Sequence, residues 1–221
     1  KLVKDDIDKV INEIDRIIFV EDEVTTGKTI LNIINVIEKQ YSKNLKFAVA
    51  SLLNGMTKQY LETYQDRKID LHYLVKTNHS NYGEIAETFK GNGQYFEIND
   101  FANSKIKVID IEGCMNARRV LESGEYEDAC KELSNKVMNQ LIFKQDETVL
   151  VLGTEEFMFP AICIGKRIEE KGHLVRCHST TRSPIAVSKE SEYPLHTRFE
   201  LRSLYDANRK TYIYNIEHYD Q

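Results

Sequence analysis

Three consecutive carboxylates, Glu21, Asp22 and Glu23, stand one residue before the run Thr25, Thr26, Gly27, Lys28, Thr29. Carboxylates accept from vicinal hydroxyls and hold Mg²⁺. The threonine hydroxyls are donors, and Gly27 allows a positive φ and a close backbone approach. If a helix starts at this run, its unpaired N–H groups and the positive end of its macrodipole suit a phosphate. Acids beside a phosphate repel it unless they face another part of the same ligand. A phosphate on the loop and hydroxyls on the acids together describe a ribose 5-phosphate, with Mg²⁺ at Glu21 and Asp22. An ordinary strand-to-helix turn with an acidic edge is the other reading of the same residues.

A second constellation lies further on. Gly153, Thr154, Glu155 and Glu156 follow one apolar run, and Ser179, Thr180, Thr181, Arg182 and Ser183 follow another. The latter is donor-rich with one fixed positive charge, which suits an anion such as phosphate. Arg182 is expected to line a pocket with Glu156; a plain salt bridge without ligand is the alternative. Glu155 and Glu156 also suit a helix start as dipole partners or caps. Arg118 and Arg119 meet phosphate or cover a helix surface. His79 sits in a polar turn, in reach of a ligand or simply solvated. Tyr205, Tyr212, Tyr214 and Tyr219 stack on a base or are half-buried strand residues.

The elements that must position these groups are alternating strands and helices. Ile17, Ile18, Phe19 and Val20 read as a strand buried on both faces, being β-branched and aromatic without alternation. Residues 30–37 carry apolar side chains at helical spacing, after a short amphipathic helix bearing Ile7, Val10, Ile11 and Ile14. Strands are expected at 46–53, 69–75, 95–98 and 106–111, with helices at 58–65 and 127–143. Then come a strand at 148–152, a helix at 157–171 and a strand at 173–177. Alternating segments around 198–203 and 210–216 predict an antiparallel hairpin. The fold class is therefore α/β, mostly parallel, of Rossmann-like type, with helices on both faces and a C-terminal antiparallel hairpin. A soft boundary near residue 115 divides 1–115 from 116–221.

Val20-Glu21-Asp22 followed by Thr26-Gly27-Lys28-Thr29 resembles the PRPP-binding motif of type I phosphoribosyltransferases, closest to that of the hypoxanthine-guanine enzymes. The resemblance implies that Glu21 and Asp22 hold the ribose hydroxyls of PRPP and that residues 25–29 cradle its 5-phosphate. Thr25 stands where the purine enzymes carry an Asp able to act on the base, although orotate-type relatives also carry Thr. Glu23 replaces an apolar residue. Thr181-Arg182-Ser183-Pro184, with Gly153 three residues before Glu156, resembles the TRSP domain. That domain follows a phosphoribosyltransferase domain in gene neighbourhoods linked to tellurite resistance and stress. The pair implies a nucleotide-like biosynthetic pathway with an unknown acceptor. In the resembled enzymes several strands, a pyrophosphate loop and a flexible loop precede the PRPP strand. The chain is accordingly expected to be a fragment lacking that N-terminal phosphoribosyltransferase segment, and a homodimer is compatible with it. A non-catalytic ribose-phosphate-binding or regulatory module, and an interaction domain in a stress complex, are the rival functions.

The 221 residues are 29% charged and 41% hydrophobic, ordinary for a globular protein. A net charge of −5 leaves no basic footprint for nucleic acid. An acidic chain must bind a phosphoester by local backbone geometry or metal rather than by its overall field. Cys114, Cys130, Cys163 and Cys177 show no CxxC spacing and predict reduced thiols in a cytoplasm. No apolar run reaches ~18 residues, so no membrane span is expected.

Overall fold

The computed structural model describes residues 4–78, 81–98, 107–144, 146–155 and 157–217, with the side chains of residues 4 and 5 left aside. The chain forms two compact units, Lys1–Ala86 and Glu87–Gln221. Both are α/β, with parallel pairing in each and one antiparallel hairpin at the end of the second.

The first unit runs α1 (Lys4–Val10), β1 (Arg16–Val24), α2 (Lys28–Gln40), β2 (Lys46–Asn54), α3 (Lys58–Asp66) and β3 (Asp70–Lys76). Its sheet has the order β1-β2-β3, all parallel, with Phe19 opposite Val49 and Val49 opposite Leu71. Ile30, Ile34 and Ile37 recur at helical spacing and are all buried. They pack with Phe47, Val49, Met56, Tyr64 and Ile69, and Ile17, Phe19 and Leu71 close the cluster from the sheet. Arg67, the C-cap of α3, donates to Asn35 and Glu38 of α2, each at 2.6 Å, so the two helices are also tied at their solvent edge.

The expectation that β1 is buried on both faces fails. Ile18 is 56% and Val20 79% exposed, as are Leu52 and Leu74 on the same side of the sheet. Side chains alternate across a strand, and in this unit the core cluster gathers only the Ile17 and Phe19 side. An apolar run without alternation thus marks a strand but not what covers it.

A short helix α4 (Tyr82–Thr88) follows. The second unit carries β4 (Gln94–Phe96), α5 (Ser123–Met138), β5 (Thr148–Gly153), α6 (Met158–Glu170), β6 (Leu174–Ser179), β7 (Thr197–Arg202) and β8 (Lys210–Tyr214). β5 and β6 pair in parallel around the crossover helix α6, with Met138, Val149 and Ile168 at the core. β7 and β8 form the expected antiparallel hairpin, and β4 adds to β7 in parallel. That pairing puts residues 94–96 in the second compact unit, and the two units divide between Ala86 and Glu87.

Two expected elements differ. Residues 107–111 form no strand and Ile106 lies outside the described residues; Val108 is 78% exposed and no strand among the described residues supplies a ladder. β-Propensity without a pairing partner does not make a strand. The helix expected at 127–143 is displaced to Ser123–Met138, because its buried stripe is Cys130, Ser134 and Met138, four residues apart. Ser134 fits that apolar stripe by returning its hydroxyl to the Cys130 carbonyl at 2.7 Å. Among the described residues no helix is long and apolar enough to cross a membrane.

Candidate functional site

β1 ends at Val24 and α2 begins at Lys28, so Thr25, Thr26 and Gly27 form the whole turn. Gly27 is the N-cap with φ 67° and ψ 4°, a left-handed conformation that only glycine takes at no steric cost. Its carbonyl accepts the Leu31 N–H at 3.0 Å, the first bond of the helix. The amides of Gly27, Thr29 and Ile30 have no acceptor among the described residues, which is the normal state of a helix start awaiting water or an anion. The Lys28 amide lies 3.4 Å from the Thr26 hydroxyl, and the Lys28 ammonium turns 5.7 Å over the Tyr60 ring. The turn bounds a cavity of about 200 Å³ lined by residues 23–30 and Glu21.

The two leading acids part company. Glu21 lines this cavity, whereas Asp22 lines a neighbouring recess with Val20, Ala50, Leu52, His72 and Leu74. Glu21 belongs to both and stands at their junction. Asp22 accepts from the Glu23 amide at 2.7 Å. Among the described residues no group of three or more His, Cys, Asp or Glu side chains is placed to hold a metal.

Sequence reasoning missed Tyr64. This α3 residue has no exposed surface, and its hydroxyl donates to the Gly27 carbonyl at 2.7 Å. Burial pushes its pKa up to about 12, against a nearby Arg67 that lowers it, so the hydroxyl stays a donor. The partners are 37 residues apart, and nothing in the pattern of α3 signals the pairing. Gly27 was expected to be small so that backbone could approach a ligand. The close approach seen is to Tyr64: a Cβ on Gly27 would lie 2.7 Å from Tyr64 Cζ.

In the second unit, Gly153 pairs with Ser179 across parallel β5 and β6, and the Thr180 amide donates to the Gly153 carbonyl at 3.0 Å. The two loops of the second constellation therefore leave the same sheet edge, as parallel strands joined by one crossover require. Glu156 lies outside the described residues, and so do His79 and Tyr219. Glu155 is described, and it faces inward with φ 54° and a side chain only 3% exposed. Ser203 donates to its Oε1 at 2.5 Å and Arg209 to its Oε2 at 3.0 Å. Its amide donates to the buried Thr180 hydroxyl at 2.9 Å. Ser203 and Arg209 come from the hairpin end of β7 and β8, far along the chain, and carried no signal in sequence.

Thr181 pairs its backbone with Tyr212, and its hydroxyl accepts the Ser183 amide at 3.2 Å. Tyr214 donates to the Ser183 carbonyl at 2.7 Å and accepts from the Ile185 amide at 2.8 Å. Tyr212 and Tyr214 are thus strand residues that brace the loop, while Ser179, Arg182 and Ser183 are exposed. Thr154 and Tyr205 share a hydroxyl bond of 2.6 Å, and Arg118 lies 5.7 Å over the Phe157 ring. Burial pushes the Cys130, Cys163 and Cys177 thiols up, which keeps them protonated and poorly nucleophilic.

Residues 2–84 match a family described as phosphoribosyl transferase, and residues 118–221 match one described as TRSP domain C terminus to PRTase_2. The chain is a phosphoribosyltransferase-like segment followed by a TRSP domain. No curated protein and no solved structure gives a significant match. The Thr25–Thr29 turn and both leading acids fall within the first matched segment, and the Glu155 and Arg182 loops within the second.

Proposed function

We propose that the first segment binds PRPP or a related ribose phosphate, with Thr25, Thr26, Gly27, Lys28 and Thr29 around the 5-phosphate and Glu21 and Asp22 on the ribose hydroxyls. The observation that carries this reading is the left-handed Gly27 turn, whose Gly27, Thr29 and Ile30 amides have no acceptor among the described residues, beside Glu21. Helix starts of this kind collect phosphate. Glu21, at the junction of the loop cavity and the recess, suits a ligand that continues from one into the other.

Two exposed carboxylates suit Mg²⁺, which keeps several waters and binds through one or two carboxylates plus substrate oxygens. Bound there, it would neutralise charge on a departing pyrophosphate. The chain's own residues hold the phosphate, orient the ribose and fix the anomeric carbon; positioning and charge stabilisation carry most of such a rate. In the TRSP half, Ser179, Arg182 and Ser183 present donors to an anion, while Gly153, Glu155, Thr180 and Thr181 frame them. The whole serves a phosphoribosyltransferase of a nucleotide-like pathway linked to tellurite resistance and stress.

Calorimetry with PRPP and ribose 5-phosphate tests the reading. Charge-assisted bonds are worth about 1.5–3 kcal/mol, so Asp22→Asn weakens PRPP binding by roughly ten-fold or more. Unchanged affinity in that variant removes Asp22 from the site. A second reading, binding without turnover, is favoured by Thr25, which supplies no carboxylate at the position where purine enzymes carry one. Pyrophosphate release in the presence of candidate acceptors separates the two.

A further inference from the structure

We infer that Tyr64 is the positioning residue of the ribose-phosphate loop, its hydroxyl setting the orientation of the Gly27–Lys28 peptide and thereby the loop's affinity for phosphate. The inference rests on the reading of residues 25–29 as a phosphate loop.

A peptide unit is rigid and trans, so its C=O and N–H point in opposite directions. The Gly27 carbonyl has two lone pairs. One accepts the Leu31 N–H at 3.0 Å and the other the Tyr64 hydroxyl at 2.7 Å. With both engaged on the core side, the Lys28 N–H is aimed away from the core, towards the Thr26 hydroxyl and the cavity face of the turn. Leu31 alone would hold the carbonyl only as firmly as a fraying first helical bond. Tyr64 adds a fixed donor, because the ring is fully buried among Ile30, Ile34 and Met56 and cannot follow a moving loop.

The requirement for glycine at 27 has the same origin. The space a Cβ would enter is filled by the Tyr64 ring, with Cε2 and Cζ both at 2.7 Å. Tyr64 and Gly27 thus fit as a pair: the absent Cβ lets the phenol reach the carbonyl, and the phenol holds the turn in its left-handed form. A buried hydroxyl in an apolar cluster is costly unless bonded, so the bond to Gly27 is also the one that makes the tyrosine tolerable there. Phenylalanine would fill the same volume without aiming the peptide.

The test uses the full chain and ribose 5-phosphate as probe, by calorimetry and by ¹⁵N amide spectra. Tyr64→Phe is expected to lose about five-fold in affinity, the worth of one neutral hydrogen bond, and to shift the Lys28 amide resonance in the ligand-free protein. Tyr41→Phe is the control: it deletes a hydroxyl that donates to Asp8 at 2.6 Å in the same unit, away from the loop. It is expected to keep wild-type affinity and an unmoved Lys28 resonance, which a general loosening of the unit would not allow. Equal affinity of wild type and Tyr64→Phe, or equal losses in Tyr64→Phe and Tyr41→Phe, overturns the inference. A wild-type chain that does not bind ribose 5-phosphate overturns the reading of the loop, and the role of Tyr64 in phosphate binding goes with it.

Discussion

Two turns in this molecule solve the same backbone problem in opposite ways. Each leaves the C-terminal end of a parallel strand and enters a helix, and each has, among its described residues, one with positive φ: Gly27 at 67° and Glu155 at 54°. The first turn uses the residue that pays nothing for that conformation. It lets one buried phenol hold a carbonyl from behind and leaves amides on the cavity side without partners among the described residues. The second uses a glutamate, for which a left-handed conformation costs about 1–2 kcal/mol, and offsets that cost with side-chain bonds to Ser203 and Arg209 and an amide bond to Thr180. The first keeps donors for something outside the chain. The second spends its acid inside the protein, fastening the β5–α6 turn to the β7–β8 hairpin.

The largest expected effect follows from that contrast. Glu155→Ala strips a buried carboxylate from Arg209 and Ser203 and leaves a guanidinium that is 35% exposed without its principal acceptor. Breaking a buried ion pair costs 3–5 kcal/mol when the remaining charge is trapped. Partial exposure of Arg209 moderates this, so a loss of about 3 kcal/mol is expected in urea unfolding of the full chain. A loss under about 1 kcal/mol would return Glu155 to the role of an ordinary surface residue at a helix start.

Next in size is Gly27→Ala. It incurs the left-handed cost of about 1–2 kcal/mol and forces a methyl into the Tyr64 ring, where overpacking costs about 1–3 kcal/mol. If the turn shifts to relieve the overlap with the fixed ring, the net loss is about 2 kcal/mol and the hydrogen bond from Tyr64 is lost as well. The variant should therefore lose ribose 5-phosphate binding together with stability, whereas Glu155→Ala should leave that binding untouched. Retained binding in Gly27→Ala would break the comparison at its first term.

These two turns also show where sequence is informative. The strand, loop and helix around Gly27 were legible because β-branched runs, a glycine and a 3.6-residue repeat are local signals. The α/β class and the hairpin were legible for the same reason. What covers Ile18 and Val20 was not, since a sheet face is covered or bare according to elements elsewhere in the fold. Residues 107–111, within the strand expected over 106–111, had propensity without a pairing partner among the described residues. Tyr64, Ser203 and Arg209 were invisible because each meets its partner through tertiary placement, across 37, 48 and 54 residues respectively. Glu155 was noticed for its motif, but its direction was not, because an acid after a strand reads alike whether it faces a ligand or a hairpin.

The smallest effect is the sharpest test of the second turn. Glu155→Gly and Glu155→Ala remove the same bonds to Ser203 and Arg209, so the loss of the ion pair is common to both. They differ in backbone cost alone. Alanine keeps the Cβ that disfavours φ 54°, whereas glycine takes that conformation freely. Glycine also loses more conformational entropy on folding, which takes back part of the gain, roughly 0.5–1 kcal/mol. With the steric relief at about 1–2 kcal/mol, Glu155→Gly should be the more stable of the pair by about 1 kcal/mol, a separation that parallel denaturation curves resolve. At an unstrained position the order reverses and alanine wins. Alanine equal to or better than glycine would mean that the turn relaxes out of the left-handed region once the carboxylate is gone. The ion pair, rather than the turn, would then be what holds residue 155 in that conformation.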